Sequence, residues 1–156
     1  MIDMAKTSEQ SQVVHLQLTC VRSPQRSSDT AEVESGLQDR QEVLHPGQLQ
    51  PDGSFLYEID VAVIQKSETH EVRWRGPYVH GTPAVPFLYL SVKYLSSDPR
   101  PWLRRLKIPL PGLAWEQIEA AQTTPCFAAS ISGTGSGTVP LLGEGWTRQD
   151  HTETRQ

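Results

Sequence analysis

The chain has 156 residues, which fits one domain and is long enough for a hydrophobic core. Its formal charge of -4 and pI near 5.7 argue against nucleic acid as a partner, because phosphate binding needs clustered Lys and Arg. No apolar run of about 18 residues is present, so we expect no membrane span.

Both ends of the chain are polar and lack periodicity. We therefore predict a disordered tail at residues 1–12, a single β-rich domain at residues 13–147 and a second tail at residues 148–156. Residues 1–12 also lack the apolar core of a signal peptide. In such a chain Cys20 and Cys126 are expected to be buried thiols, which favours a cytoplasmic location.

Alternation of apolar and polar residues predicts a first strand at residues 13–21, and weaker alternation predicts a second at 37–44. Residues 23–35 between them are rich in Ser, Gln and charge, and we expect a loop there. The clearest strand covers residues 54–65, because every second residue from Phe55 to Val63 is apolar. Turn signals at Pro51-Asp-Gly53 precede it.

Further strands are predicted at residues 72–74, 87–95, 102–110, 126–131 and 139–142. A loop is expected at 133–137, and the one helix candidate is residues 114–122, which Pro125 follows. Many short strands with one short helix predict a mainly β fold, a small antiparallel β-barrel or sandwich. We expect a pocket at one end of it.

His80 is the first candidate for a catalytic group in this pocket, since it lies beside glycines and aromatic residues. A neutral imidazole there would serve as a general acid or base near pH 7. The alternative is a loop histidine that makes one hydrogen bond to the backbone. Aromatic residues near it are the expected substrate-binding walls: Trp74, Tyr78, Tyr89 and Trp102.

Arg104 is the second candidate, because alternation places it on the same strand face as Leu106 and Ile108. A buried guanidinium needs a carboxylate or an anionic ligand. Asp60, or Glu58 beside it, is the expected partner, and Asp60 completes the candidate catalytic set. An internal ion pair, a ligand-binding arginine and a slipped register that exposes Arg104 all remain open.

The sequence gives little support for a phosphate-binding loop or a metal site. The Gly133-Thr-Gly-Ser-Gly137 segment lacks the Lys and the helix that a phosphate-binding loop needs. The five histidines show no metal-ligand spacing, so we expect no metal and no cofactor.

A set of segments is spread over roughly residues 13–147: Gly36-Leu-Gln38, Gly76-Pro-Tyr-Val-His-Gly81, Phe87-Leu-Tyr-Leu90, Pro101-Trp-Leu-Arg-Arg-Leu-Lys-Ile-Pro-Leu110, Gly112-Leu-Ala-Trp-Glu-Gln-Ile118 and Ser132-Gly-Thr-Gly135. Together these segments resemble a microbial family catalogued as domain of unknown function 5990. The resemblance implies one compact domain, and the family has no established activity to transfer. Relatives often carry Gln where His80 stands, and Ser136-Gly-Thr-Val-Pro140 replaces their Gly-Gly-Pro-Asn-Cys.

The function that we expect is a small-molecule pocket protein. The first hypothesis is a cofactor-independent isomerase, cyclase or lyase of specialised metabolism, which acts by pocket shape and one or two polar groups. The alternatives are a non-catalytic ligand-binding module and a protein-interaction domain. The expected partner is a small organic molecule, with no nucleic acid and no membrane, and a homo-oligomer is left open.

Overall fold

The computed structural model describes residues 9–21, 32–66, 71–95, 102–119, 124–133 and 137–149. Strands dominate this part of the chain and one short helix accompanies them, so the mainly β prediction is confirmed. The strands are β1 (Glu9–Cys20), β2 (Glu32–Gln38), β3 (Leu44–His45), β4 (Gln48–Leu49), β5 (Phe55–Lys66), β6 (Glu71–Arg75), β7 (His80–Gly81), β8 (Pro86–Leu95), β9 (Trp102–Pro109), β10 (Cys126–Ile131), β11 (Gly137–Thr138) and β12 (Thr147–Arg148), and the helix is α1 (Trp115–Glu119).

The strands form two sheets. The first has the order β12-β10-β1-β5-β4, with β6 also paired to β5, and the second has the order β11-β9-β8-β2-β3, with β7 also paired to β8. Within the described residues neither sheet closes on itself, so the fold is a sandwich and not a barrel.

Most of the strand pairs are antiparallel, as predicted, and two parallel pairs make both sheets mixed. β10 pairs parallel to β1, and β11 pairs parallel to β9, whereas the other pairs are antiparallel. In each parallel pair, the two strands lie far from each other in the sequence. No tight hairpin therefore fixes their relative direction.

The space between the sheets is filled by apolar side chains from their facing surfaces. Leu16 and Val63 contribute from the first sheet and Leu90, Leu106 and Ile108 from the second, each with at most 1% of its surface exposed. Burying an aliphatic side chain of this size contributes about 1.5–3 kcal/mol. The middle of the sandwich is thus a packed core, and the recesses described below lie outside it.

One buried polar contact joins the two sheets inside this core. The hydroxyl groups of Tyr57 on β5 and Ser35 on β2 lie 3.2 Å apart, which satisfies both groups away from water. Burial raises the pKa of the Tyr57 hydroxyl to about 12. The hydroxyl therefore stays protonated.

Several predicted boundaries move. β1 begins at Glu9, ahead of the predicted residue 13, and the second strand covers Glu32–Gln38 and not 37–44. Residues 139–142 are not a strand, since the pairing residues there are Gly137–Thr138. The helix lies inside the predicted 114–122 range, whose last three residues fall outside the described ones, as do most of the predicted loop at 23–35 and most of both tails.

Two further predictions can be compared with the structure. Cys20 and Cys126 carry thiols and no disulfide, with Cys20 buried and Cys126 half-buried. In the described ranges, no helix is long and apolar enough to cross a membrane.

Candidate functional site

The outer face of the second sheet carries aromatic rings and cations side by side. Alternation along β8 turns Leu88 and Leu90 into the core and Phe87 and Tyr89 outward. On the adjacent strand β9, the Arg105 guanidinium carbon lies 5.4 Å from the centre of the Tyr89 ring, and Lys107 Nζ lies 5.0 Å from that of Phe87. Cations at these distances are attracted to the ring faces.

A tight turn places His80 beside these rings. Strand β7 pairs His80 with Phe87 and Gly81 with Pro86, and Gly81 has a φ of 84°. A Cβ atom at Gly81 would overlap the carbonyl oxygen of Val85, so only glycine lets the two strands approach this closely.

One hydrogen bond fixes the tautomer of His80. Its Nε2 lies 2.7 Å from the carbonyl oxygen of Gln38, and because a carbonyl only accepts, Nε2 carries the hydrogen. The neutral ring then presents a lone pair at Nδ1, for which the described residues provide no partner. The ring centre lies 4.6 Å from that of Tyr89.

The Gln38 side chain is oriented by Arg105. Arg105 Nε, which can only donate, lies 3.1 Å from Gln38 Oε1, and the Ser91 hydroxyl donates to the same oxygen at 2.7 Å. The amide Nε2 of Gln38 is left with two N–H donors and no partner in the described part of the chain. Arg105 likewise has no carboxylate partner there.

Asp39, the residue after β2, has its carboxylate occupied. Oδ1 accepts from the backbone N–H groups of Gln41 and Val43, and Oδ2 lies 2.9 Å from His45 Nε2. The hydrogen bond from His45, helped by those from the backbone, lowers the pKa of Asp39 below its ordinary value of 3.8. Its negative charge is therefore present near neutral pH, and both of its oxygens already accept hydrogen bonds.

Together these residues form a recess of about 290 Å³, here called the His80 cleft. Gln38, Asp39, His80, Tyr89 and Arg105 line it, and the exposed side chains of Arg40 and Glu42 line it as well. Glu42 has a φ of 67°, which is unusual for a residue other than glycine. The cleft offers N–H donors at Arg105 and Gln38 and one lone pair at His80.

Of the predicted site residues, the structure brings His80 and Tyr89 together in this cleft. Tyr78 lies elsewhere, with its hydroxyl 3.3 Å from His45 Nδ1 and its ring edge against the His45 ring. Trp74 lines a different recess of about 410 Å³, here called the end pocket. Gln65, Val72, Trp74, Pro86, Leu110 and Trp115 are among the residues that form the end pocket.

Asp60 lies on the outer face of the first sheet, with 68% of its side chain exposed. Its Oδ1 is 2.9 Å from His15 Nδ1, and Glu58 Oε1 is 2.8 Å from His15 Nε2. The expectation that one of these carboxylates points into the core is therefore wrong. Even-numbered residues of β5 face outward, since Tyr57, Ile59 and Val61 fill the inner face.

The side chains of Trp102 and Arg104 lie outside the described part of the structure. The backbone register pairs Arg104 with Val92 and Trp102 with Tyr94. The proposed role of Arg104 thus stays a prediction.

Arg105, Gln38 and Asp39 were missed by sequence reasoning. Alternation did place Arg105 on the polar face of β9, but a surface arginine in a sequence gives no sign of a partner. Gln38 and Asp39 lie at the end of β2, and the predicted range for this strand, residues 37–44, begins several residues after its observed start at Glu32. Among the described residues, no group of three or more His, Cys, Asp or Glu side chains could hold a metal ion.

Comparison with curated proteins and with solved structures found no match. A family model does match residues 14–149, which include both recesses and nearly all of the strands. This chain belongs to that family, the family of unknown function DUF5990.

Proposed function

We propose that the protein binds a small organic molecule with a carboxylate group in the His80 cleft, and that His80 exchanges a proton with it. The observation that carries the proposal is that two groups without a partner among the described residues lie at one place, the terminal N–H groups of Arg105 and Nδ1 of His80. A volume of about 290 Å³ is near the lower end of the range of small-molecule pockets, about 300–1,000 Å³.

Arg105 and Gln38 would hold the carboxylate. The bond from Arg105 Nε to Gln38 and the contact with Tyr89 fix the guanidinium plane. Its remaining N–H groups suit the two oxygens of a carboxylate, and the Gln38 amide adds further donors. The formal charges of the lining residues balance, and both oxygens of Asp39 already accept hydrogen bonds although its negative charge remains.

His80 would supply the chemistry. With Nε2–H held by Gln38, Nδ1 can take a proton from a carbon next to a carbonyl group and return it to another carbon of the same molecule. Such a transfer is balanced without a cofactor and underlies isomerisation; return of the proton to a leaving group gives elimination. The cofactor-independent isomerase, cyclase or lyase therefore remains the proposed reaction class.

Binding without turnover is the second candidate, and the openness of the cleft favours it. Arg40, Glu42 and Arg105 are exposed, so water reaches the groups that line it. Water screens charges and competes for the hydrogen bonds of a reacting molecule. The two candidates share the anion site and differ only in the role of His80.

Binding is tested by titrating benzoate into the 15N-labelled protein and following the backbone amide signals. We expect shifts around residues 38–42, 80, 89 and 105, and a loss of affinity of about tenfold in Arg105→Met, because a charge-assisted pair is removed. Lys107→Met is the matched control, a cation over the neighbouring ring Phe87 that does not line the cleft. Equal effects of the two substitutions would contradict an anion site at Arg105.

Turnover is tested separately, by incubating carbonyl compounds that carry a carboxylate with the protein in D2O and measuring deuterium uptake by mass spectrometry. Proton transfer by His80 predicts uptake that falls about 10²–10⁴-fold in His80→Gln. If deuterium uptake is unchanged in His80→Gln, His80 has no catalytic role, and carboxylate binding without turnover is the remaining function.

The cytoplasmic location likewise stays a proposal.

A further inference from the structure

The end pocket opens where the two sheets separate at one end of the sandwich. The first sheet supplies Gln65 near the end of β5 and Trp74 on β6, and the second supplies Pro86 at the start of β8. Leu110, just after β9, and Trp115 of the helix complete the wall. The pocket has a volume of about 410 Å³, which is within the usual range for small molecules, about 300–1,000 Å³.

Most of the side chains that line the pocket are apolar, although polar atoms make up the larger part of its exposed surface, and its two indole rings are held in place. Trp74 pairs with Val63 across β5 and β6, packs against the core, and donates its indole N–H to the carbonyl oxygen of Pro111 at 2.9 Å. Trp115 is only 6% exposed. An indole fixed at both its ring face and its N–H presents a rigid flat surface.

Gln65 is the anomaly of this pocket. It continues the inner face of β5 after Tyr57, Ile59, Val61 and Val63, and only 8% of its surface is exposed. Its side-chain amide has no hydrogen-bond partner among the described residues, and it is not one of the fully buried unpaired atoms, since only Arg73 Nε is such an atom there, so the amide reaches the open space of the pocket. Because Gln65 lines the end pocket, a molecule in the pocket can satisfy the amide.

The charges around the pocket indicate a neutral ligand. Glu116 is exposed and is the one charged side chain among the described lining residues, so a bound anion would meet repulsion and no cation. A primary amide both donates and accepts, so its best partner is another group that does both, such as an amide.

From these observations we propose that the end pocket is a second binding site, for a neutral small molecule with a flat apolar part and an amide-like group that pairs with Gln65. The site is independent of the His80 cleft, whose described lining residues it does not share.

Benzamide is a suitable probe, because it joins a flat ring to a neutral amide, and benzoate is its charged counterpart. In a titration of the 15N-labelled protein with benzamide, we expect shifts of the Trp74 and Trp115 indole N–H signals and of the Gln65 side-chain amide signals. Gln65→Leu, of similar size, should weaken benzamide about fivefold, as expected for the loss of a buried hydrogen-bonding pair. Gln48→Leu, at an exposed glutamine of β4 outside the pocket, is the matched control and should leave the affinity unchanged.

The thermal stability of Gln65→Leu gives a second readout that does not need a ligand. If the amide serves a ligand and not the fold, its removal should keep or raise Tm, since no hydrogen bond within the described protein is lost and an apolar side chain of similar size replaces it. A fall in Tm of several degrees would show that the amide supports the fold, and would overturn the proposal. The proposal would also be overturned if Gln65→Leu bound benzamide as tightly as the wild type, or if benzoate shifted the same indole signals equally well. Both results are independent of how Arg105→Met affects benzoate binding in the His80 cleft.

Discussion

Among single residues, Asp39 makes a contribution to stability that should depend on pH. Its carboxylate accepts hydrogen bonds from Gln41 N, Val43 N and His45, which lower its pKa below 3.8. Because the folded pKa is lowered, the stabilisation is present above about 3.8 and is lost as the pH falls through the folded pKa. Asp39→Asn should therefore have a lower Tm than the wild type at pH 7.

The same comparison at low pH checks the cause. As the pH falls through the lowered pKa of Asp39, the carboxyl group of the wild type becomes protonated, so the difference in Tm between the two proteins should shrink. Circular dichroism melts from pH 7 down to about pH 2.5 measure it. A difference that stays constant with pH would mean that shape and not charge matters at residue 39.

Single residues were also the hardest to predict from the sequence. His80 and Tyr89 were identified as neighbours of a pocket because they lie close in sequence to Gly81 and Phe87, and local pairing does bring them together. Gln38, which binds both His80 and Arg105, comes from a different part of the chain. Such long-range partners follow from strand order, and the sequence of one chain does not determine strand order.

Among the elements, β1 and β5 are joined on their outer face by His15. Both ring nitrogens lie within 2.9 Å of a carboxylate oxygen, one from Asp60 and one from Glu58. Partial burial lowers the pKa of His15, but the hydrogen bonds and charges of the two carboxylates outweigh it, so the pKa is raised above 6.5.

This cluster predicts a stability difference whose pH dependence is opposite to that at Asp39. Since the folded pKa is raised, the stabilisation is complete below about 6.5 and is lost as the pH rises through the folded pKa. His15→Gln should be less stable than the wild type at pH 6, by about 0.2–1 kcal/mol for groups this exposed, and the difference should shrink by pH 9. Urea unfolding at both pH values tests it, and an equal difference at both would show that the charge of His15 has no part in joining the strands.

The β2–β3 hairpin, which positions Gln38, Asp39 and His45, depends on close approach at Gly36. A Cβ atom there would lie 2.6 Å from the carbonyl oxygen of His45 and 2.9 Å from its nitrogen, and backbone atoms cannot easily move aside. Gly36→Ala should lower the free energy of unfolding by about 1–3 kcal/mol. It should also weaken benzoate binding in the His80 cleft.

Gly112→Ala is the matched control for this substitution. A Cβ atom at Gly112 meets nothing within 4 Å, and its φ is not positive, so stability should be unchanged. Denaturant titrations of both variants decide the matter. If Gly36→Ala is as stable as Gly112→Ala, the hairpin can shift without cost and does not hold the cleft in shape.

Elements were predicted well where alternation is strong. β5, β8 and β9 each have an apolar inner face, and their residues face the sides that the pattern indicates. The position of β2 was predicted wrongly because its sequence does not alternate between apolar and polar residues. Its inner face holds Ser35 beside Leu37, and its outer face holds Gly36. Alternation extended by one position along β5 also puts Gln65 on the inner face, and a glutamine ending an apolar face was the available signal for the end pocket.

In the whole molecule, packed side chains fill the middle of the sandwich, so both recesses lie outside it. The His80 cleft lies on the outer face of the second sheet, and the end pocket lies where the sheets separate. The chemistry of the two differs, because the cleft offers the charged donors of Arg105, whereas the end pocket offers two indole rings and one neutral amide. The predicted single pocket, with Trp74 and His80 together, is thus divided in two.

This division predicts that an anion and a neutral amide bind at the same time. Benzoate in the cleft and benzamide in the end pocket should each change the affinity of the other by less than about twofold, because their lining residues do not overlap and the core between them is rigid. Titration of benzoate into protein saturated with benzamide measures this, and Arg105→Met and Gln65→Leu should each abolish one set of signal shifts while leaving the other intact. Direct competition would show that both probes use one site, and that the two recesses act as a single pocket in solution.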